Sequence, residues 1–541
     1  MGDKAMEHGK TYDEKKILFV LREPQETVQD AIACLRALAL PDGYTVEIVT
    51  DAEAPMAAYA NAVQQASDAR YKVYLAQGAV ILQEDFLVRM IACFRSAPET
   101  GVIGLVGTEQ LPTSGLFWEA PAKVGCALLR NGAHVGGRAV DGDCEEVMAV
   151  TDVFATQYDV PWREDLFQSE TFLAASVCAE QRRRGYRTVV LAAEGDALLL
   201  PEAAPIVDSG EQARFLDTYS DELYPLVSVI IPTYERPEYF RIALTSAAQQ
   251  TYRNLDIFIT DNSHDTRTKE VYEQEFADDP RIHYEHHPEY SGAIENWQRA
   301  RAYDNPEAQY VNWLMDDDVF MPEKIAKMMD FYFAYPDVML VTSYRQRIDA
   351  QGNVMADVPS TAPIVQQTTR IRGAEMGRLI LTECCNFVGE PTTALAKKSG
   401  MLNHHDLGWT GKEGKYCISD YPTWLRLLTQ GDVIYIREPL SQFRQHAGQD
   451  QYRASTMATG IICWGLMIRA AIERHVFLNA EEDRRRALAT YAFLVGQFLR
   501  TGLSQPIWQE TYLKDLLTVY AGTMDAWASG KPMDYTIDTT I

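Results

Sequence analysis

Three consecutive aspartates, Asp316-Asp317-Asp318, follow the apolar run Asn312-Trp-Leu-Met315. Adjacent carboxylates repel one another unless something cationic neutralises them. Oxygen ligands of this kind suit Mg²⁺ or Mn²⁺. The spacing predicts a strand that delivers them to its C-terminal end, where open α/β sheets bind ligands. In an extended stretch Asp316 and Asp318 would point to one side and Asp317 to the other, which allows two tasks within one motif. A further acidic residue, Asp420 in Ser419-Asp420-Tyr-Pro-Thr-Trp424, opens an amphipathic helix. There it can cap the helix, with a favourable dipole, or act as a general base, and the two roles are compatible.

Upstream, Ile231-Pro-Thr-Tyr-Glu-Arg236 closes one apolar strand and Thr260-Asp261-Asn-Ser263 closes the next, followed by Tyr290-Ser-Gly-Ala-Ile-Glu-Asn296. With the aspartates, this succession resembles the family 2 glycosyltransferases of GT-A fold over about residues 225–451. The resemblance implies roles at matching positions. Pro232, Thr233 and Tyr234 would line a base pocket with Arg236 close to the nucleotide. Asp261 would hydrogen-bond the base or ribose, and Gly292 and Asn296 would flank the nucleotide. Asp316 and Asp317 would lie near ribose and diphosphate, and Asp318 with Asp316 would hold a metal ion. Structural uses compete at the flanking positions: Pro232 ends a strand, Asn262-Ser263 suits a turn, and Gly292 can supply a positive φ. His446, in Phe443-Arg-Gln-His-Ala-Gly448, resembles a metal-binding histidine of related galactofuranosyltransferases, and an imidazole would favour Mn²⁺ over Mg²⁺. A diphosphate or acceptor contact is the alternative for His446. Asp420 would be the catalytic base. Gly389-Glu390-Pro391 resembles a segment near the donor sugar, and Trp409 is the candidate acceptor platform, because aromatic rings stack on sugar faces. The implied activity is a metal-dependent, inverting transfer from a nucleoside-diphosphate sugar, of the UDP-sugar class, to a hydroxyl of a glycan, glycolipid or glycoprotein.

The elements that must position these residues follow from apolar periodicity. Pro225-Leu-Val-Ser-Val-Ile-Ile231 predicts a strand buried on both faces, then a helix over 236–250 and a strand over 255–260. An earlier stretch repeats the plan, with strands at 16–21, 44–49 and 72–75 separated by helices at about 28–40 and 54–66. Tyr74-Leu-Ala-Gln-Gly-Ala-Val80 aligns with Trp313-Leu-Met-Asp-Asp-Asp-Val319, and Ser169-Glu170 with Ser419-Asp420. The expected architecture is α/β, two tandem GT-A-like domains with mainly parallel sheets and a helical C-terminal region. Residues 1–215 would be a degenerate, non-catalytic copy, since Gln77, Gly78 and Ala79 offer no carboxylate. Residues 216–455 would be the catalytic domain and 456–541 the helical region, with a capping box at Asn479-Ala-Glu-Glu482.

Composition excludes several classes. The chain is 47% hydrophobic and 23% charged over 541 residues, ordinary globular usage that excludes large-scale disorder. Lys+Arg number 50 against 76 Asp+Glu, a net charge of −26 that argues against gripping nucleic acid or anionic lipid over a broad surface. Nine cysteines without a CxxC pair read as reduced thiols in a cytoplasmic protein. Residues 1–16 are polar and mixed in charge, with no apolar stretch behind a basic start, so no secretory signal is expected. The apolar run 457–468 is about twelve residues, shorter than the ~20 a membrane span needs. Expected partners are the donor and a glycan-type acceptor; peripheral attachment through a membrane-borne acceptor and self-association through the C-terminal helices are both compatible with the sequence. A nucleotidyltransferase would need a Gly-rich basic loop after the first strand, and Thr233-Tyr-Glu-Arg-Pro237 is not one. A non-catalytic nucleotide-sugar-binding scaffold would not need the intact aspartates and Asp420.

Overall fold

The computed structural model describes residues 10–51, 53–151, 153–201, 207–289, 293–401, 420–449, 454–502 and 511–537. The chain divides into two units, Met1–Tyr224 and Pro225–Ile541. The first is built on strands β1 (Asp13–Leu21), β2 (Thr45–Thr50), β3 (Ala69–Leu75), β4 (Thr100–Gly104), β5 (Val153–Thr156) and β6 (Arg187–Leu191). They lie in the order β2-β1-β3-β5-β4-β6, with a short strand, Cys144–Glu146, beyond β6. Strand β1 runs parallel to β2 and β3, β5 runs antiparallel to β3 and β4, and β6 returns parallel to β4. Helices α1 (Leu173–Arg183) and α2 (Ser209–Leu223) follow β5 and β6.

The second unit carries β7 (Leu226–Thr233), β8 (Leu255–Asp261), β9 (Ile282–His286), β10 (Ala308–Trp313), β11 (Leu340–Ile348), β12 (Leu395–Lys397) and β13 (Val433–Arg444). Its order is β9-β8-β7-β10-β12-β11-β13. Here β7 is parallel to β8 and β10, β12 is antiparallel to β10 and β11, and β13 is parallel to β11. Leaving out the edge strand β9, order and directions reproduce those of the first unit strand for strand. The internal repeat read from Tyr74–Val80 and Trp313–Val319 is therefore a repeat of topology as well. The two segments occupy the same place in each sheet, just after β3 and just after β10.

Helix α2 moves the expected boundary. Residues 201–224 look like an acidic connection, yet Asp208 caps a helix by accepting from Glu211 N at 2.8 Å. The period of Phe215, Leu216, Tyr219 and Leu223 then buries one face. The Phe215 and Phe172 rings sit 5.1 Å apart, and Tyr219 Oη meets Ser176 Oγ at 2.8 Å. The first unit thus ends at Tyr224 rather than at 215.

Helices α3 (Ala454–Glu473), α4 (Glu481–Gly502) and α5 (Thr511–Ser529) belong to the second unit. One hydrophobic core runs from Ile230 and Trp313 through Trp424 to Trp464, Tyr491 and Val519, so they share the core of the second sheet. Residues 456–473 within α3 are long and apolar enough to cross a membrane, beyond the twelve-residue run read from the sequence, and 67% of this window is buried inside the protein.

Candidate active site

The C-terminal ends of β7, β10 and β13 meet at one point, beside the turn that precedes β12. Strand β7 is a continuous apolar run with buried Val227, Val229, Ile230 and Ile231, and it ends at Pro232-Thr233. Thr233 Oγ1 and Tyr234 N donate to Asp316 Oδ2 at 3.0 and 3.3 Å. Arg236 donates to Asp316 Oδ1 at 3.1 Å and reaches Asp317 Oδ2 at 3.5 Å; its other terminal nitrogen donates to Gly448 O at 2.8 Å. Asp318 accepts from Thr392 Oγ1 at 2.6 Å and from Arg444 N, at the end of β13, at 3.0 Å. The His446 ring lies with Nε2 2.9 Å from Asp317 Oδ2.

The aspartates do not alternate as an extended strand would. Strand β10 stops at Trp313, and Asp318 N donates back to Met315 O at 3.1 Å, closing a turn. Asp316 consequently faces the end of β7, Asp318 faces Thr392 and Arg444, and Asp317 faces His446. The expected ligand trio Asp316, Asp318 and His446 is not assembled; Asp317 is the carboxylate that meets the imidazole. Among the described residues no three His, Cys, Asp or Glu side chains converge as a ready ligand set. The donors still fit a divalent ion in kind. Burial, then the neighbouring Asp317 charge, pushes Asp316 up to about 6 against the opposing pull of Arg236. The same two causes hold Asp318 well above the ordinary carboxylate range. Such a cluster lacks positive charge, which a cation beside Asp317 and His446 would supply.

The other predicted residues divide by use. Tyr234 is 39% exposed, with its ring edge-on to His264 at 5.9 Å, a surface open to a flat ligand. Asp261 is fully buried, accepting from Ser263 N at 2.7 Å and from the Tyr284 hydroxyl. Asn296 is buried too: it accepts from Thr260 Oγ1 at 2.7 Å and donates to Thr233 O and Thr260 O, each at 3.1 Å. It ties the ends of β7 and β8 together rather than facing a nucleotide. Asn296→Ala is therefore expected to lower stability by ~2 kcal/mol, as buried acceptors lose their donor, which a urea midpoint reads. Unchanged stability with weakened nucleotide binding would restore the nucleotide contact. Gly292 and Trp409 lie outside the described residues.

Asp420 is the first residue of helix α6 (Asp420–Leu428, numbered after the five above). Asn386 Nδ2 donates to its Oδ2 at 3.1 Å, and burial followed by the Glu390 charge pushes it up to about 7. Glu390 also acts on Asp318. Its own carboxylate lies 2.5 Å from Arg345 Nε, so the expected sugar-side residue is ion-paired inside the protein. Trp424 is core, with Nε1 donating to Gly389 O at 3.0 Å. Sequence reading missed Arg345, Asn386, Thr392 and Arg444. Of these only Arg444 carried a signal, two residues before His446 in the same motif.

The corresponding place in the first unit is closed. Gly78 N donates to Glu23 Oε1 at 2.5 Å, and Glu23, 6% exposed, also accepts from Thr27 Oγ1 at 2.7 Å. Glu170, the counterpart of Asp420, pairs with Arg22 at 3.1 Å. A carboxylate thus occupies the turn that follows β3.

An acidic turn at the C-terminal ends of parallel strands, with a helix-borne carboxyl of the same unit raised towards neutrality, is the arrangement of an α/β protein that binds a ligand at its strand ends. Comparison with known families gives the particular one. Residues 17–219 match a family described as "Glycosyltransferase like family", and residues 228–387 match "Glycosyl transferase family 2". The second unit thus carries a family 2 glycosyltransferase domain and the first a glycosyltransferase-like domain. An uncharacterized glycosyltransferase of Rickettsia typhi is 25% identical over 235 residues, 43% of this chain and 67% of that one. A putative teichuronic acid biosynthesis glycosyltransferase of Bacillus subtilis is 25% identical over 222 residues, 41% of this chain and 79% of that one. Other Rickettsia relatives are longer, and the chain spans 36% or less of three of them. Among solved structures, a fragment of S. aureus TarS in complex with UDP-GlcNAc has a TM-score of 0.36 at 12% identity, covering 57% of this chain and 93% of that one.

Proposed function

We propose that the second unit transfers a sugar from a nucleoside-diphosphate donor, of the UDP-sugar class, to an acceptor hydroxyl with inversion at the anomeric carbon. The observation that carries this reading is the convergence of Asp316–Asp318, Arg236 and His446 at the strand ends, with Asp420 in the same unit raised to about 7. The exposed Tyr234 ring would carry the base, and Arg236 would turn from the aspartates to the diphosphate. Asp420 would accept the hydroxyl proton as the acceptor oxygen attacks, a single displacement that inverts the centre. Asp317 and His446 would hold Mn²⁺ or Mg²⁺, which when bound supplies positive charge to the departing diphosphate. The acceptor is a hydroxyl of a glycan, glycolipid or glycoprotein, and a cytoplasmic setting fits such donors.

The first unit would bind no donor, because Glu23 places a negative charge where a diphosphate would sit. Calorimetric titration of the whole chain with UDP and Mn²⁺ is expected to give one site per chain. Two sites would overturn the reading of the first unit, and no site would overturn that of the second.

A further inference from the structure

We propose that the turn Asn386–Glu390, anchored by Arg345, positions and charges the Asp420 carboxylate, so that Asn386 and Glu390 serve the base and not the donor sugar. The inference rests on the reading of Asp420 as the base.

The geometry of the turn supports it first. Asn386 Nδ2 donates to Gly389 O at 2.8 Å and to Asp420 Oδ2 at 3.1 Å, while its Oδ1 accepts from Gly389 N at 3.0 Å. Both amide hydrogens are engaged, and the three bonds together fix which way the amide faces. The turn needs glycine at 389: φ is +108°, and an added Cβ would lie 2.7 Å from Thr393 Oγ1. Gly389 O also accepts from Trp424 Nε1 at 3.0 Å, which ties the turn to the helix that Asp420 opens. One carboxylate oxygen of Asp420 is thus occupied. The other, Oδ1, has no hydrogen-bond partner among the described residues. Asp420 itself lines a cleft with Trp297, Arg301 and Thr423. Asn386 thereby holds one oxygen and leaves the other to take a proton.

The charges support it second. Arg345 is 2% exposed, donates to Ser360 O at 2.7 Å and Asn386 O at 3.3 Å, and keeps Nε 2.5 Å from Glu390 Oε2. The pairing seats Glu390 near Asp420, whose proton affinity it raises while Arg345 lowers it. Other groups face the site. Tyr421 stands beside Asp420, Cys385 lies on the turn, Cys463 on α3 is near Tyr421, and Arg301 lines the cleft. Burial holds the Tyr421 hydroxyl and the Cys385 thiol in their neutral forms. Glu390 and Arg345 therefore set the charge that Asp420 feels. In the reaction the acceptor O–H proton passes to Asp420 Oδ1, the acceptor oxygen bonds to the anomeric carbon, and the bond to the diphosphate oxygen breaks with its electron pair. The cluster then changes from two carboxylates and one guanidinium to one of each, an arrangement Arg345 and Glu390 already match.

The test is the pH dependence of kcat/KM for sugar transfer by the full chain, with donor KM measured alongside and folding checked by thermal unfolding. Glu390→Gln removes the neighbouring negative charge, so the acid limb is expected to move down by about one pH unit, with a plateau ~10-fold lower and donor KM unchanged. Arg345→Met should move the limb up, and Arg345→Lys should return it towards wild type. Opposite movements mark electrostatic action, which a merely structural role would not produce. Should Arg345→Met not fold, Glu390→Gln carries the test alone. Asn386→Ala should lower kcat with donor KM unchanged. An unmoved limb in Glu390→Gln, or a donor KM raised tenfold at constant kcat, would overturn the inference while leaving Asp420 as the base. Normal turnover by Asp420→Asn would instead overturn the base itself, and with it this role for Glu390.

Discussion

Asp420→Asn is expected to lower sugar transfer by ~10² or more while nucleotide binding stays near the wild-type value. The amide keeps the shape and the helix-start position of the carboxyl, and Asn386 can still be accommodated beside it. What it removes is the ability to take a proton. Burial and Glu390 lift Asp420 to about 7, so the wild-type acid limb should fall near neutral pH, with activity rising as the carboxyl ionises. The same shift sets a stability expectation of known sign. A carboxyl whose folded value lies above its unfolded value stabilises the fold when protonated, and that contribution is lost as pH rises through about 7. At pH 8 the Asn variant, which never ionises, should therefore unfold no earlier than wild type. Inactivity with intact stability and nucleotide binding is the signature of a lost base. Normal turnover would leave Asp420 as a helix cap only.

Much of this site was legible in the sequence because its parts are local. The apolar run ending at Pro232 and the three aspartates after Trp313 each announce a strand end by themselves, and the topology of open parallel sheets brings such ends together. The copy in the first unit was legible for the same reason. Contacts that depend on side-chain direction were not. Asn386 and Asp420 are 34 residues apart and Arg345 and Glu390 lie on separate elements, with no periodicity to link them. The meeting of Asp317 with His446 was hidden by one backbone bond: the turn from Asp318 N to Met315 O ends the alternation that an extended chain would have. Helix α2 was hidden by its acidic composition, although Asp208 and the Phe215–Tyr219 spacing mark it in retrospect.

Asp317→Ala is expected to abolish the strengthening of UDP binding by Mn²⁺ and to lower transfer by ~10² or more, with EDTA having the same effect on the wild-type protein. The argument is one of position and charge. Asp316 is already held by Thr233, Tyr234 and Arg236, and Asp318 by Thr392 and the Arg444 backbone, contacts that a cation would have to displace. Asp317 instead shares its Oδ2 with His446, Arg236 and Gln449, partners that can release it when a cation arrives. His446→Ala should weaken the Mn²⁺ response by ~10-fold, the scale of one lost ligand or orienting group, since Asp317 remains. Asp318→Ala should behave differently and lower the urea midpoint, because Thr392 Oγ1 and Arg444 N lose their buried acceptor. Measuring Mn²⁺ titrations and unfolding on the same three variants separates the two jobs. A Mn²⁺ response that survives Asp317→Ala but disappears in a folded Asp318→Ala would return the ligand role to Asp318 and reduce the Asp317–His446 pair to a structural contact.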